Sequence, residues 1–196
     1  MQRQLFQLRR KTAEALSSYQ RTHTPQVLSF TAPTGAGKTI ILASLIESIY
    51  FGDEEYPDQP DAIFVWLSDS PELNEQSRSK IDLKADKIRL GQCATITDES
   101  FDQEMLDDGH IYFLNTQKLG KGGKLTLSGG EHRTWSIWET LQNTAEVKGT
   151  HLILIIDEAH RGMRDNRDAA RATTIMQKFI KGSQADGLKP LPVVIG

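Results

Sequence analysis

Cysteine is almost missing from this chain: Cys93 is the only one in 196 residues. A lone thiol closes no disulfide within the chain and builds no cysteine metal site. That excludes the stapled secreted class and fits a reducing, cytoplasmic setting. Long apolar runs are missing too. The longest aliphatic stretch, Leu152–Ile156, is far too short for a membrane span, and the opening Met1-Gln2-Arg3-Gln4-Leu5 holds no apolar signal region. No membrane partner is expected. Excess charge of either sign is also lacking. With a net charge of -3, attraction to a polyanion has to come from local patches. There is no internal repeat and no low-complexity tail. What remains, 38% hydrophobic and 25% charged, is globular, and the length predicts a single domain over 1–196 with a proper core.

One stretch organises the rest. Residues 27–30 are an apolar run that reads as a buried strand. A glycine-rich turn follows, and residues 40–46 read as an apolar helix. Strand, glycine loop, Lys-Thr and helix form the layout of a phosphate-binding loop. Gly35 and Gly37 let the backbone curl so that successive N–H groups point inward. Those groups and the positive end of the helix hold phosphate oxygens. Thr34, Gly35, Ala36, Gly37, Lys38 and Thr39 are thus the candidate nucleotide-binding residues, with Lys38 reaching the phosphates and the Thr39 hydroxyl ligating Mg²⁺. The strict pattern has glycine where this chain has Ala32; a small residue still fits there. The bland alternative is a glycine-rich turn before an ordinary helix, with Lys38 solvated.

Taken in order, residues 2–20 predict an amphipathic helix, with Leu5, Leu8, Thr12, Ala15 and Leu16 recurring at three- and four-residue spacing. Residues 1–25 form this helix and a lead-in. Arg9, Arg10 and Lys11 read as its solvated face. Residues 62–67 predict a strand. Ser70, Pro71 and Glu72 then open a helix that runs to about residue 84. Residues 93–97 predict a short strand, 101–106 a helical turn and 110–115 another strand. The glycine- and lysine-rich residues 120–133 predict a flexible loop. A helix over 134–147 would place Trp135, Trp138, Leu141 and Ala145 on one face. Residues 151–156 are the clearest buried strand, 164–181 a helix, and 190–195 a final strand. Apolar strands alternating with helices predict an α/β fold with a mostly parallel sheet covered on both faces. Ligands of such sheets sit at the strand C-termini. That rim would collect the phosphate loop, Ser68, Asp69, Asn115, Thr116, Gln117, Asp157 and Glu158.

Asp157 follows an aliphatic strand, so its carboxylate emerges beside the phosphate loop. There it is placed to hold Mg²⁺ through water, opposite Thr39. Glu158, next in sequence, is placed to orient and deprotonate an attacking water. Lys38, Asp157 and Glu158 are the candidate catalytic set. An acidic strand-to-helix turn with Asp157 as a cap is the structural alternative. His160 alone would read as the opening of the next loop.

APTGAGKT over residues 32–39 and DEAH over residues 157–160 resemble the superfamily 2 helicases and translocases. Residues 65–76, 113–120, 133–141 and 157–163 look most like the motor subunit of type III restriction enzymes, related to the DEAD/DEAH-box proteins. Alanine at position 32 is common in that superfamily. The resemblance implies a RecA-like P-loop NTPase lobe, a three-layer sandwich that binds ATP and Mg²⁺. It implies that His160 links nucleotide state to a partner lobe. It implies nucleic-acid backbone contact by Ser68, Asp69, Ser70, Gln76, Thr116, Gln117 and Lys118, on DNA before RNA. Hydroxyls and amides are common sequence-blind phosphate contacts. Gln4 and Gln7 are candidates for a glutamine that reads adenine. A second RecA-like lobe with arginine fingers is expected outside this chain, as is a modification (methyltransferase) subunit. Such fingers contribute about 10³ to 10⁵ in rate, so this lobe alone is expected to bind ATP weakly and turn over little. Two other classes remain open: a P-loop ATPase that remodels protein, and a nucleotide-gated binding module without turnover.

Overall fold

A parallel strand pair needs a crossover between its members, and this chain supplies a helix or a long connection at each one. The computed structural model describes residues 2–31, 37–69, 71–84, 87–129, 133–157 and 166–196. Among them the helices are α1 (Gln2–Thr22), α2 (Gly37–Phe51), α3 (Pro71–Lys84), α4 (Ile137–Lys148) and α5 (Asn166–Lys181). The strands are β1 (Gln26–Leu28), β2 (Ile63–Ser68), β3 (Cys93–Thr95), β4 (Ile111–Asn115), β5 (Leu152–Ile156) and β6 (Val193–Ile195). They form one six-stranded sheet in the order β1-β6-β5-β2-β4-β3, and every pair is parallel.

Side chains alternate across a strand, and here both faces are apolar. Phe64, Trp66, Phe113, Ile153 and Ile155 point to one face, where they pack with Leu8 and Leu16 of α1, Ile81 of α3 and most of α2. Val65, Leu67, Leu114, Leu154 and Ile156 point to the other, against Trp138 and Leu141 of α4 and Ile175 and Phe179 of α5. The result is the expected three-layer α/β sandwich, consistent with a RecA-like lobe. α2 is buried on several sides, by Ile41, Leu42, Ala43, Leu45, Ile46 and Ile49, because it lies between the sheet, α1 and α3. α2 and α5 both end on a glycine with positive φ, Gly52 at +71° and Gly182 at +81°, the left-handed cap that side chains resist.

Four sequence expectations are corrected. β1 is an edge strand and is not buried: it pairs with β6 and leaves Val27 51% exposed. Arg9 does not belong to a solvated face. It is buried under residues 53–57, its Nε donating to Ser48 Oγ at 3.0 Å and its guanidinium stacked over the Tyr56 ring. Residues 101–106 form no helical turn, because their backbone groups are engaged by other elements. The Phe101 carbonyl accepts from Arg133, the Gln103 carbonyl accepts from Thr140 Oγ1, and the Leu106 N–H donates to Thr144 Oγ1. Finally, α4 starts three residues later than the spacing predicts. The N–H groups of Thr134 and Trp135 donate to the Asp102 carboxylate, and Ser136 closes a capping box with Glu139.

Within residues 120–129 the chain makes a 3-10 turn, Lys124–Thr126. Leu125 is buried there, and Thr126 Oγ1 donates to the Gly123 carbonyl. Among the described residues no helix is long and apolar enough to cross a membrane.

Candidate functional site

The parallel register sets the rim. Ser68 pairs with Asn115 and Leu67 with Ile156, so β2, β4 and β5 end level with one another. The N–H of Asp157 donates to the Leu67 carbonyl at 2.9 Å, which carries the ladder one residue past β5. At the other side of the sheet the Phe30 N–H donates to the Gly196 carbonyl and the Gly196 N–H to Leu28. Residues 29–31 therefore leave the sheet at the same rim.

Gly37, Lys38 and Thr39 form the first turn of α2, which contains no acidic residue. The positive helix end is thus left for an anion to compensate. Lys38 is half-buried and Thr39 is buried. Asp157 is buried as well, and its Oδ2 accepts a hydrogen bond from Ser77 Oγ at 3.1 Å. β6 stands between β1 and β5. At about 4.8 Å per strand, Asp157 emerges about 10 Å across the sheet from β1. The donor set here, a threonine hydroxyl and a carboxylate, is hard oxygen, as Mg²⁺ prefers. Among the described residues no group of three or more His, Cys, Asp or Glu gathers anywhere.

A cavity of about 190 Å³ lies where residues 29–31 leave the sheet. It is lined by Gln4, Gln7, Leu8, Lys11, Ser29, Phe30 and Thr31. Both glutamines singled out in the sequence therefore line the same cavity as residues 29–31.

The remaining candidates are spread along the rim. Ser68 is fully buried, and its hydroxyl donates to Asn74 Oδ1 at 2.7 Å. Asp69 is half-buried and Gln76 is exposed on α3. Asn115 caps the 3-10 turn Thr116–Leu119 by accepting from the Lys118 N–H. Within that turn Thr116 is buried and Gln117 exposed. Lys118 Nζ lies 2.7 Å from Asp98 Oδ2, and this hydrogen bond holds its pKa above the ordinary lysine value. Thr34, Gly35, Ala36, Ser70, Glu158 and His160 lie outside the described residues.

Sequence reasoning missed Asn74 and Ser77, which tie α3 to the ends of β2 and β5. A signal was present. Asn74, Ser77 and Ile81 recur at three- and four-residue spacing, one stripe of a helix, and all three are buried.

The family model described as type III restriction enzyme, res subunit, matches residues 5–185 of this chain. No protein among the curated sequences matches it.

Proposed function

Because the chain belongs to the family of type III restriction enzyme res subunits, a family of ATP-dependent motors, we propose that it is the ATP-binding lobe of a DNA translocase or helicase. One observation carries the reading to this chain's own residues. The acid-free first turn of α2, with Thr39, opens at the same rim at which the sheet ladder delivers Asp157.

In this reading the backbone of residues 34–37 and the N-terminus of α2 hold the phosphates of ATP, with Lys38 neutralising charge on the β and γ phosphates. Thr39 and Asp157 would hold Mg²⁺, which offsets phosphate charge when bound. Glu158 orients and deprotonates the attacking water. Gln4 and Gln7 line the cavity that would take the adenine. Gln76, Gln117 and Lys118 touch the DNA backbone, together with Ser70, while Ser68, Asp69 and Thr116 hold the segments that present them. Such contacts position a duplex without reading its sequence. His160 passes the nucleotide state to a second RecA-like lobe. The arginines of that lobe supply the rate that this one lacks, and a methyltransferase subunit completes the restriction system.

ATP hydrolysis by the full-length protein tests the proposal. It is measured alone and with duplex DNA, single-stranded DNA or RNA, with Glu158→Gln as control. Stimulation by DNA that disappears in the variant supports the motor. Hydrolysis indifferent to every nucleic acid would replace it with a protein-remodelling ATPase. Binding without hydrolysis would replace it with a nucleotide-gated module.

A further inference from the structure

An ionised carboxylate only accepts hydrogen bonds, so the contact between Ser77 and Asp157 has one polarity: the serine O–H donates. Both residues are buried, at 4% and 5% exposure, and the 3.1 Å contact joins positions 80 apart in sequence. One turn earlier on α3, Asn74 takes the hydroxyl of Ser68. The first half of α3 is therefore latched to the final residue of β2 and to the residue just past β5, two neighbouring strands.

We propose that Ser77 is a positioning residue for nucleotide hydrolysis: its hydroxyl fixes the Asp157 carboxylate and ties it to the helix that rises from the DNA-contacting edge of the rim. The inference rests on the reading of Asp157 as the metal-side carboxylate. Its own content is the link through α3. Ser77 lies six residues from Pro71, about 9 Å along a helix, and next to the exposed Gln76. A ligand that shifts the start of α3 moves the Ser77 hydroxyl against Asp157. A nucleotide that draws on Asp157 in turn pulls on the start of α3. Such coupling is reciprocal: whatever DNA does to Mg²⁺–ATP affinity, Mg²⁺–ATP does to DNA affinity.

The test is equilibrium binding of a fluorescent ATP analogue, in Mg²⁺ and in EDTA, with and without duplex DNA. The proteins are wild type, Ser77→Ala, Ser77→Thr, Asp157→Asn and the Ser77→Ala/Asp157→Asn double variant. Losing a hydrogen bond to a charged group predicts that Ser77→Ala lowers affinity in Mg²⁺ by roughly tenfold. Affinity in EDTA stays as in wild type, since the phosphate loop is untouched, and Ser77→Thr restores the Mg²⁺ affinity. In the Asp157→Asn background Ser77→Ala adds nothing, the signature of two residues acting as one unit. The effect of DNA on ATP affinity vanishes in Ser77→Ala. Equal losses in Mg²⁺ and EDTA, additive losses in the double variant, or a full DNA effect in Ser77→Ala would each overturn the link. Wild type that shows no Mg²⁺-dependent ATP binding would overturn the functional reading itself, and the link with it.

Discussion

Leu67 and Asp157 are joined by a backbone hydrogen bond of 2.9 Å between the Asp157 N–H and the Leu67 carbonyl. The height of the Asp157 carboxylate is therefore set by the sheet ladder. Replacing that carboxylate leaves the ladder in place. Asp157→Asn should keep the free energy of unfolding in urea within about 1 kcal/mol of wild type, yet lose the gain in ATP affinity that Mg²⁺ brings. A Mg²⁺ gain equal to wild type in this variant would remove Asp157 from the metal site.

Lys38 sits in the first turn of a helix whose other faces are buried. Lys38→Ala should leave folding intact and weaken ATP binding by about 100-fold, the scale of losing one buried charge contact to phosphate. Titration with a fluorescent nucleotide reads this directly, and unchanged affinity would return Lys38 to the role of a surface lysine.

Ser136 satisfies the Glu139 N–H, and the Glu139 carboxylate satisfies the Ser136 N–H. Ser136→Ala should destabilise the protein by about 1 kcal/mol with nucleotide affinity unchanged. Chemical denaturation gives the first number, and a shift under a few tenths of a kcal/mol would show that α4 does not depend on its cap.

Asp102 and Glu139 are among the carboxylates held below their ordinary range. In Asp102 the cause is the N–H groups of Thr134 and Trp135; in Glu139 it is above all the N–H of Ser136. A folded pKa below the unfolded one means that their stabilisation is complete above the unfolded value of about 4. It is lost as pH falls through the folded values. The urea midpoint of wild type should therefore drop more between pH 6 and pH 3 than that of the Asp102→Asn/Glu139→Gln variant. Equal drops would place the acid sensitivity elsewhere.

Lys118 is partnered by Asp98, which fixes its ammonium group beside the exposed Gln117. If Lys118 meets a DNA phosphate, Lys118→Ala should weaken binding to all sequences alike. It should also reduce the slope of log affinity against log salt by about one. An unchanged slope would confine Lys118 to its ion pair.

Much of the frame was legible because its signals are local. β2, β4 and β5 are short unbroken apolar runs, which in alternation with helices imply a parallel sheet. Its carboxyl rim then follows for Ser68, Asn115 and Asp157 without knowledge of strand order. Order itself was not legible. Residues 27–30 have the apolar character of a central strand, and only the pairing of β1 with β6 reveals Val27 at an edge. Arg9 misled for the opposite reason, since a charge next to Arg10 and Lys11 reads as solvated until the Tyr56 ring closes over it. Residues 101–106 failed because their partners, Arg133, Thr140 and Thr144, lie more than thirty positions away. Asn74 and Ser77 showed a helical stripe in plain sequence, but polar residues on a stripe announce burial only once the strand ends they serve are placed.

The pairing of β1 with β6 also has a consequence in time. Gln26 is registered opposite Val193, so β1 waits for a partner that lies far later in the chain. At ribosomal speeds of about 5 to 20 residues per second, roughly ten to thirty seconds pass between the two. β2, β4 and β5 can assemble in that interval. β1 cannot dock on β6 until β6 has left the ribosome, so during synthesis the rim proposed to hold nucleotide is among the last parts of the lobe to form.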